Sequence, residues 1–278
     1  MPVRALPPVT EDLLRRLDGA ATDFTLRWLE GVAGRAGNPR GLRIERFGDA
    51  IAPASRAEPD LDFMNRVMRL FPRDAGRLED ILAFYRGLGV RPWFELAPGD
   101  GFERLASALT AGGAAQIGFH SVLYGLPAPE TLPNPAADAR VEEVGPGNAF
   151  EAFVDTLLEG LELPAKALDE ARRDHAPWAS VEPWRCYLAR IDGRAAAAAV
   201  LAVVDGVGLL AAAATRPAFR GRGCQTALIH RRVADAAAAG CELVTANAEF
   251  ASSSHRNLQR AGLREAFTKA VWRVGEGT

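Results

Sequence analysis

The feature that most constrains the fold is an alanine-rich apolar run, residues 195–214, that a short polar turn divides in two. The run reads AAAAAVLAVVDGVGLLAAAA. An uninterrupted apolar run of this length suggests a membrane span, but Asp205 and Gly206 in its middle are a typical two-residue turn between antiparallel strands. The run therefore predicts a β-hairpin inside a globular domain.

Composition narrows the class of protein. The chain has 278 residues, of which 48% are hydrophobic and 24% are charged, which is typical of one large or two medium globular domains. The net charge is −2, and Lys166 and Lys269 are the only lysines, so no basic field favours nucleic acid or an anionic membrane as a partner. Cys186, Cys224 and Cys241 form no CxxC pair, which argues against a disulfide framework or a metal site. The start of the sequence has no apolar signal region, so we expect a cytoplasmic protein.

A proline-rich stretch divides the chain. Residues 125–139 read GLPAPETLPNPAADA, without hydrophobic periodicity, as an exposed linker does. We predict an N-terminal domain over residues 1–125, a linker over 126–139 and a C-terminal domain over 140–278.

The two halves show the same order of predicted elements. From the second hairpin strand onward, the C-terminal half consists of a strand, a helix, a strand, a helix and a strand. The N-terminal half ends in the same order, with a strand over 61–71, a helix over 73–89, a strand over 91–96, a helix over 101–113 and a strand over 116–125. The glycines that end the helices, Gly89 and Gly113 in one half and Gly240 and Gly262 in the other, are similarly spaced. This predicts two copies of one mixed α+β architecture. An amphipathic helix capped by Thr10 precedes them.

A loop rich in arginine and glycine follows the hairpin in the segment TRPAFRGRGCQTAL, residues 215–228. Its glycines free the backbone, and the amides of residues 222–226 would stand at the start of a helix, where free N–H groups and the helix dipole favour an anion. A diphosphate fits this arrangement, and Arg220 and Arg222 can add charge-assisted contacts. The alternative is a tight turn whose arginines lie in solvent.

With its flanking hairpin, strand and helix, this segment resembles the acyl-coenzyme A site of GNAT-superfamily N-acyltransferases, whose loop pattern is R/Q-x-x-G-x-G/A. Arg220 and Gly223 match the pattern, and Gln225 departs from its small last residue. The resemblance implies two GNAT-like halves, each with a mixed, mostly antiparallel sheet flanked by helices. It also implies coenzyme contacts from residues of the strand end, the loop and the last helix: Ala213, Ala214, Thr215, Arg220, Gly221, Arg222, Gly223, Cys224, Gln225, Thr226 and Asn257.

The same resemblance implies that the strand before the loop splays away from the next strand and holds the pantetheine arm. Small residues at 212–214 allow this, or they pack tightly under a helix. In the N-terminal half Asp74 stands where a phosphate would lie, which predicts a degenerate copy unable to bind coenzyme.

Catalytic groups are harder to assign. Many family members carry a tyrosine acid at the position that Leu258 occupies here. Glu249, just past a predicted strand, is our candidate general base. His255 at a helix start is a second candidate, and the serines at 252–254 are expected to cap that helix. Cys224 lies at a helix N-terminus, where a thiol pKa can be lowered, but it occupies a variable position of the loop pattern. His230 is expected to be structural or exposed.

The resemblance implies an N-acyltransferase that moves an acetyl or other short acyl group from acyl-coenzyme A, with acetyl-CoA as donor, to an amine of a small molecule or amino-acid derivative. The transfer that the resemblance implies requires no metal. A homodimer is compatible with the sequence. One alternative is a non-catalytic CoA-binding or interaction protein, which the absent tyrosine favours. Another is a phosphate-binding regulator that does not use CoA.

Overall fold

The structure, a computed structural model, describes residues 5–128 and 139–275 and divides into two compact units. The C-terminal unit comprises Met1–Phe24 and Leu123–Ala266, and the N-terminal unit comprises Thr25–Val122 and Phe267–Thr278, as far as these residues are described. Most of the predicted linker lies outside the described residues, so the domain limits at 125 and 140 stay a prediction. Within the described ranges, no helix is long and apolar enough to cross a membrane.

The described residues 5–128 form three α-helices and five strands. In chain order these are α1 (Glu11–Ala33), β1 (Leu42–Phe47), β2 (Ala50–Ser55), β3 (Arg66–Val67), α2 (Leu78–Leu88), β4 (Trp93–Leu96), α3 (Phe102–Ala111) and β5 (Ala114–Gly125). The predicted cap of α1 is confirmed, since the Leu13 amide donates to Thr10 Oγ1 over 3.2 Å. In the N-terminal unit β1 pairs with β2 in antiparallel fashion and β3 pairs with β4 in parallel fashion. Buried side chains of α2, α3 and β4, among them Tyr85, Phe94 and Leu109, form the core of this unit.

Two predictions for the N-terminal unit were wrong in detail. The predicted strand over 61–71 is a 3-10 turn, Asp62–Met64, followed by the two-residue strand β3. The predicted helix over 73–89 opens with a 3-10 turn, Pro72–Arg77, and becomes α-helical only at Leu78. The hairpin of β1 and β2 was not predicted.

The described residues 139–275 form four α-helices and six strands. These are β6 (Arg140–Val144), α4 (Asn148–Gly160), α5 (Leu168–His175), β7 (Trp184–Ile191), β8 (Arg194–Val204), β9 (Val207–Thr215), α6 (Cys224–Ala238), β10 (Leu243–Glu249), α7 (Ser253–Arg260) and β11 (Arg264–Val274). In the C-terminal unit the strand order is β6, β7, β8, β9, β10. The first three pairs are antiparallel and the last is parallel, so the sheet is mixed and mostly antiparallel, as predicted.

The predicted hairpin is confirmed: β8 pairs with β9 across a turn in which Asp205 and Gly206 have φ angles of 46° and 75°. Positive φ at both central residues is the signature of the type I′ turn, whose twist matches that of the strands it joins. One face of this sheet is covered by α6 and α7, whose buried residues Leu228 and Leu258 share a core with Leu201.

The repeated order of elements is confirmed as well. In one unit β3 leads through α2 to the parallel strand β4 and then to α3, and in the other β9 leads through α6 to the parallel strand β10 and then to α7. The four glycines that follow these helices all have positive φ angles, between 68° and 90°.

Candidate active site

The predicted anion loop lies in the C-terminal unit, between the end of β9 and the start of α6. A 3-10 turn, Pro217–Phe219, leads into residues 220–223, where Gly221 and Gly223 both have a φ of 75°. This left-handed conformation suits glycine because a Cβ would be strained there. Gly223 is the N-cap of α6 and has no side chain with which to cap the helix, so no N-cap side chain occupies the first amides of α6.

The arginines around this loop are held by exposed carboxylates. Arg216 Nε lies 2.9 Å from Glu159 Oε2, and Arg220 Nη2 donates to Glu162 Oε2 over 2.5 Å. Arg222 lies 3.5 Å from a carboxylate oxygen of an aspartate in the turn between β7 and β8. Exposed ion pairs contribute about 0–1 kcal/mol, so a phosphate ligand can take over these guanidinium groups at little cost.

Gln225, the residue that departs from the family pattern, turns toward the strand. Its Nε2 donates to Thr215 Oγ1 over 3.0 Å, so the side chain joins the first turn of α6 to the last residue of β9. The amide group is therefore drawn toward Thr215, and the departure from a small residue is accommodated by a hydrogen bond.

The two strands that precede and follow α6 separate from one another, as the resemblance implied. β9 pairs with β10 only at three positions, the last of which joins Leu209 to Thr245. Beyond that pair β9 continues to Thr215 and β10 continues to Glu249. The backbone of each strand is therefore available to a ligand on the side where the partner strand is lost.

A β-bulge lies in the free part of β9. Val200 is in register with Ala211, and Ala198 is in register with Ala214, so one residue of β8 opposes the two residues Ala212 and Ala213 of β9. Ala212 has a φ of 35°, and Ala213 is exposed. The packing interpretation of the small residues holds for Ala214, which is buried: a Cβ built on Gly160 of α4 would lie 2.8 Å from the Cβ of Ala214. That Ala213 contacts a ligand stays a prediction.

A buried arginine lies beneath the bulge. Arg232 of α6 is 1% exposed, and its guanidinium donates to the carbonyl oxygens of Leu228, Val200 and Ala211 over 3.0 to 3.1 Å. Burial lowers the pKa of Arg232 to about 10. The sequence did not single this residue out, because two arginines are adjacent in the helix and only the packed helix shows which of them faces the sheet.

The candidate base Glu249 is the last residue of β10, on the part of the strand that has left β9. Its side chain is exposed, and it shares a strand face with exposed Asn247, while Ala246 and Ala248 point into the core. Asn247 was not identified from the sequence, although the alternation TANAE around it was the available signal.

The serine cap of α7 is confirmed, since Ser252 Oγ accepts from the His255 amide over 3.1 Å. His255 is buried, and its Nε2 lies 2.8 Å from Glu265 Oε2. Leu258 is buried on the same helix face, and Asn257 Oδ1 accepts a hydrogen bond from Arg260.

One expectation for this region is corrected, and one pair of alternatives is narrowed. The Cys224 thiol lies at the start of α6, but burial raises its pKa, and neighbouring Arg222 only partly opposes this effect. The expected lowering at the helix N-terminus was therefore wrong, since dehydration of the thiolate outweighs the stabilisation that Arg222 and the Cys224 amide give it. His230, for which an exposed position was one expectation, is buried.

This sequence and fold were compared with those of known proteins. Residues 154–262 match the model of the acetyltransferase (GNAT) family. Similar solved structures include a GCN5-related N-acetyltransferase from Kribbella flavida, which is 19% identical, with 94% of this chain and 95% of that chain covered and a TM-score of 0.66. Another, from Sphaerobacter thermophilus, is 14% identical, with 94% and 90% covered and a TM-score of 0.58. No curated protein sequence matches.

A third similar structure is a tandem GNAT protein from the clavulanic acid biosynthesis pathway, which is 14% identical, with 98% of each chain covered and a TM-score of 0.58. At such identities the likeness is one of fold. The segment matched by the family model contains the splayed strands, the bulge and the loop with Arg220, Gly223 and Gln225. The chain therefore carries, in residues 154–262, a domain of the acetyltransferase (GNAT) family, whose enzymes transfer an acyl group from acyl-coenzyme A.

Proposed function

We propose that the chain is an N-acyltransferase that moves an acetyl or other short acyl group from acyl-CoA to an amine of a small molecule or amino-acid derivative. The observation that carries this proposal is the combination of a bare helix start at Gly223 with a bulged strand, β9, that has left its neighbour. The first feature suits a diphosphate, and the second suits an extended arm ending in a thioester.

The coenzyme is proposed to bind along β9 and the loop. The diphosphate takes the amides of residues 222–226, with Arg220 and Arg222 turning from their exposed carboxylate partners to the phosphate oxygens. The pantetheine arm then runs beside residues 213–215, where β9 has no parallel neighbour. Asn257 on α7 is a proposed further contact.

The transfer needs few side chains. The amine nitrogen bonds to the thioester carbonyl carbon, and the π electrons of the carbonyl move to its oxygen. The carbonyl re-forms as the C–S bond breaks, the sulfur leaves with the bonding pair, and the amine proton passes to a base. Glu249, exposed at the end of β10, is the proposed base, directly or through water. Buried Leu258 has no proton to give, so solvent or another group protonates the leaving thiolate.

Only the C-terminal unit is proposed to bind coenzyme. In the N-terminal unit the equivalent turn before α2 begins at Phe71, and the carboxylate of buried Asp74 accepts from the Phe71 amide over 3.1 Å. The protein's own anion therefore occupies a helix-start amide, and its negative charge repels phosphate. This supports the interpretation of the N-terminal unit as a degenerate copy.

Two measurements test the proposal. Titration calorimetry with acetyl-CoA should give one site per chain, and two equivalent sites would exclude a degenerate N-terminal unit. Release of free CoA thiol in the presence of a panel of amines should depend on the amine. Coenzyme binding without thiol release would favour a CoA-binding protein without turnover, the alternative suggested by Leu258 at the position of the family's tyrosine acid. If ADP, free phosphate and acetyl-CoA protected the protein equally against unfolding, a phosphate-binding regulator would be favoured.

A further inference from the structure

Arg232 is a charged group in a place where charge is expensive. Its side chain is almost completely buried in the C-terminal unit, and the hydrogen bonds it makes go to three backbone carbonyl oxygens. Burying an ionised group costs free energy that such bonds only partly return, and well-packed apolar residues often serve stability equally well. The position of Arg232 therefore calls for a reason other than stability.

The acceptors of Arg232 share a location. Val200 and Ala211 are register partners on β8 and β9, and they form the last pair before the bulge. The Nη1 atom of Arg232 lies 3.1 Å from both of their carbonyl oxygens, so one guanidinium nitrogen bridges the two strands where β9 begins to bulge. The next residue, Ala212, has a φ of 35°, which a residue with a Cβ holds only when its surroundings fix it.

We propose that Arg232 is a positioning residue that holds the β9 bulge in the shape needed for acyl transfer. It fixes the carbonyl of Ala211 and thereby the direction of the peptide units of Ala212 and Ala213, which follow on the free part of the strand. The guanidinium charge beside the Ala211 oxygen also polarises the peptide unit that joins Ala211 to Ala212. This strengthens the Ala212 N–H as a donor to a developing oxyanion. This inference rests on the proposed function, because it assigns the bulge to the thioester carbonyl.

The neighbouring Arg231 is a matched control. It lies on the same helix, and its Nε donates to Asp235 Oδ2 over 2.8 Å while its Nη1 donates to the Val141 carbonyl over 3.3 Å. Arg231 is partly exposed; Val141 lies on β6, three strands away from β9, and Asp235 also accepts from Tyr187 of β7. Arg231→Met therefore removes a positive charge from α6, and Arg231→Lys keeps it, without removing a hydrogen bond at the bulge.

The experiment compares Arg232→Lys and Arg232→Met with Arg231→Lys and Arg231→Met in the full chain. We expect hydrogen exchange of the amides at 212–214 to be about tenfold faster or more in the Arg232 variants, since their local opening becomes easier. We expect kcat to fall by about tenfold to a hundredfold while the acetyl-CoA dissociation constant changes by less than about threefold, because the loop holds the diphosphate and only alignment is lost. Lysine should retain more activity than methionine, and the Arg231 variants should match the wild type.

The inference is overturned if the Arg232 variants keep both the wild-type exchange rates at 212–214 and the wild-type kcat. It is also overturned if kcat falls only in proportion to the fraction unfolded, which a merely structural role predicts. If Arg232→Met does not fold, Arg232→Lys carries the comparison. If the wild type releases no thiol with any amine, the proposed function fails, and the catalytic part of this inference fails with it. The exchange rates then still decide whether Arg232 holds the bulge.

Discussion

Gly160, the last residue of α4, offers a steric test of how closely α4 must pack against the end of β9. A Cβ at this position would lie 2.8 Å from the Cβ of Ala214 and 2.9 Å from the backbone nitrogen of Thr215. Both atoms belong to the end of β9, directly before the anion loop. A Gly160→Ala substitution therefore pushes on the strand that is proposed to hold the pantetheine arm.

The expected size of the effect follows from these distances. Carbon atoms in contact stay roughly 3.5 Å apart or more, so the end of β9 must move by about 0.5 to 1 Å. Overpacking of this kind costs about 1–3 kcal/mol. Alanine is favoured over glycine within a helix by up to about 1 kcal/mol, which offsets part of that cost. We expect Gly160→Ala to lower the free energy of unfolding by about 1–2 kcal/mol and to slow acyl transfer by about tenfold to a hundredfold, since a shift of that size misaligns the reacting atoms.

The matched control is Gly87→Ala near the end of α2, where a Cβ would meet nothing within 4 Å. It should leave acyl transfer unchanged and raise the free energy of unfolding by up to about 1 kcal/mol. Urea unfolding measures stability, calorimetry measures acetyl-CoA affinity, and thiol release measures the rate. A Gly160→Ala protein with wild-type stability and wild-type turnover would refute the argument that α4 presses closely on β9.

Three further changes test other parts of the structure. Gly223→Asp should abolish acetyl-CoA binding in calorimetry, because a carboxylate enters the anion site, and it should cost about 1–2 kcal/mol of stability because φ is positive there; measurable affinity with unchanged stability would mean that the loop is only a turn. Glu249→Gln should lower kcat by about a hundredfold and flatten its rise with pH if Glu249 is the base; a kcat within about threefold of wild type across the profile would remove Glu249 from the mechanism. Burial by itself would raise the pKa of Glu95, but Arg66 and Lys269, with His120, overcome this and hold it well below the ordinary value of 4.5. The unfolded chain therefore takes up this proton first, and the stability contributed by Glu95 is complete above about pH 5 and lost as pH falls below it. Glu95→Gln should destabilise the protein by about 3 kcal/mol at pH 7, since buried Lys269 and half-buried Arg66 lose the carboxylate that both contact, and should weaken the decline in unfolding free energy below pH 5; an unchanged acid profile would contradict this.

Local signals in the sequence were sufficient for the order of elements in the C-terminal unit and for the loop. Asp205 and Gly206 define a turn by their own backbone preferences, and Gly223 followed by an alanine-rich helix defines a bare helix start. Ser252 caps its helix through a contact three residues away. Such features depend on neighbours in the chain, and for that reason they were predicted correctly.

Other features depend on contacts between residues far apart in the sequence. The hairpin of β1 and β2 was missed because Pro53 within AIAPAS argues against a strand, whereas in the fold the Pro53 carbonyl accepts from the buried hydroxyl of Tyr85. The bulge in β9 arises from the register with β8, which no local pattern of alanines reveals. Arg231 and Arg232 are indistinguishable as neighbours in a sequence. Only the packing of α6 on the sheet leaves Arg231 partly exposed and buries Arg232 against the bulge. The sequence alone thus determined the glycine-rich loop and helix start at which we propose that an anion binds, while tertiary packing decided which backbone groups and which arginine surround the proposed reaction.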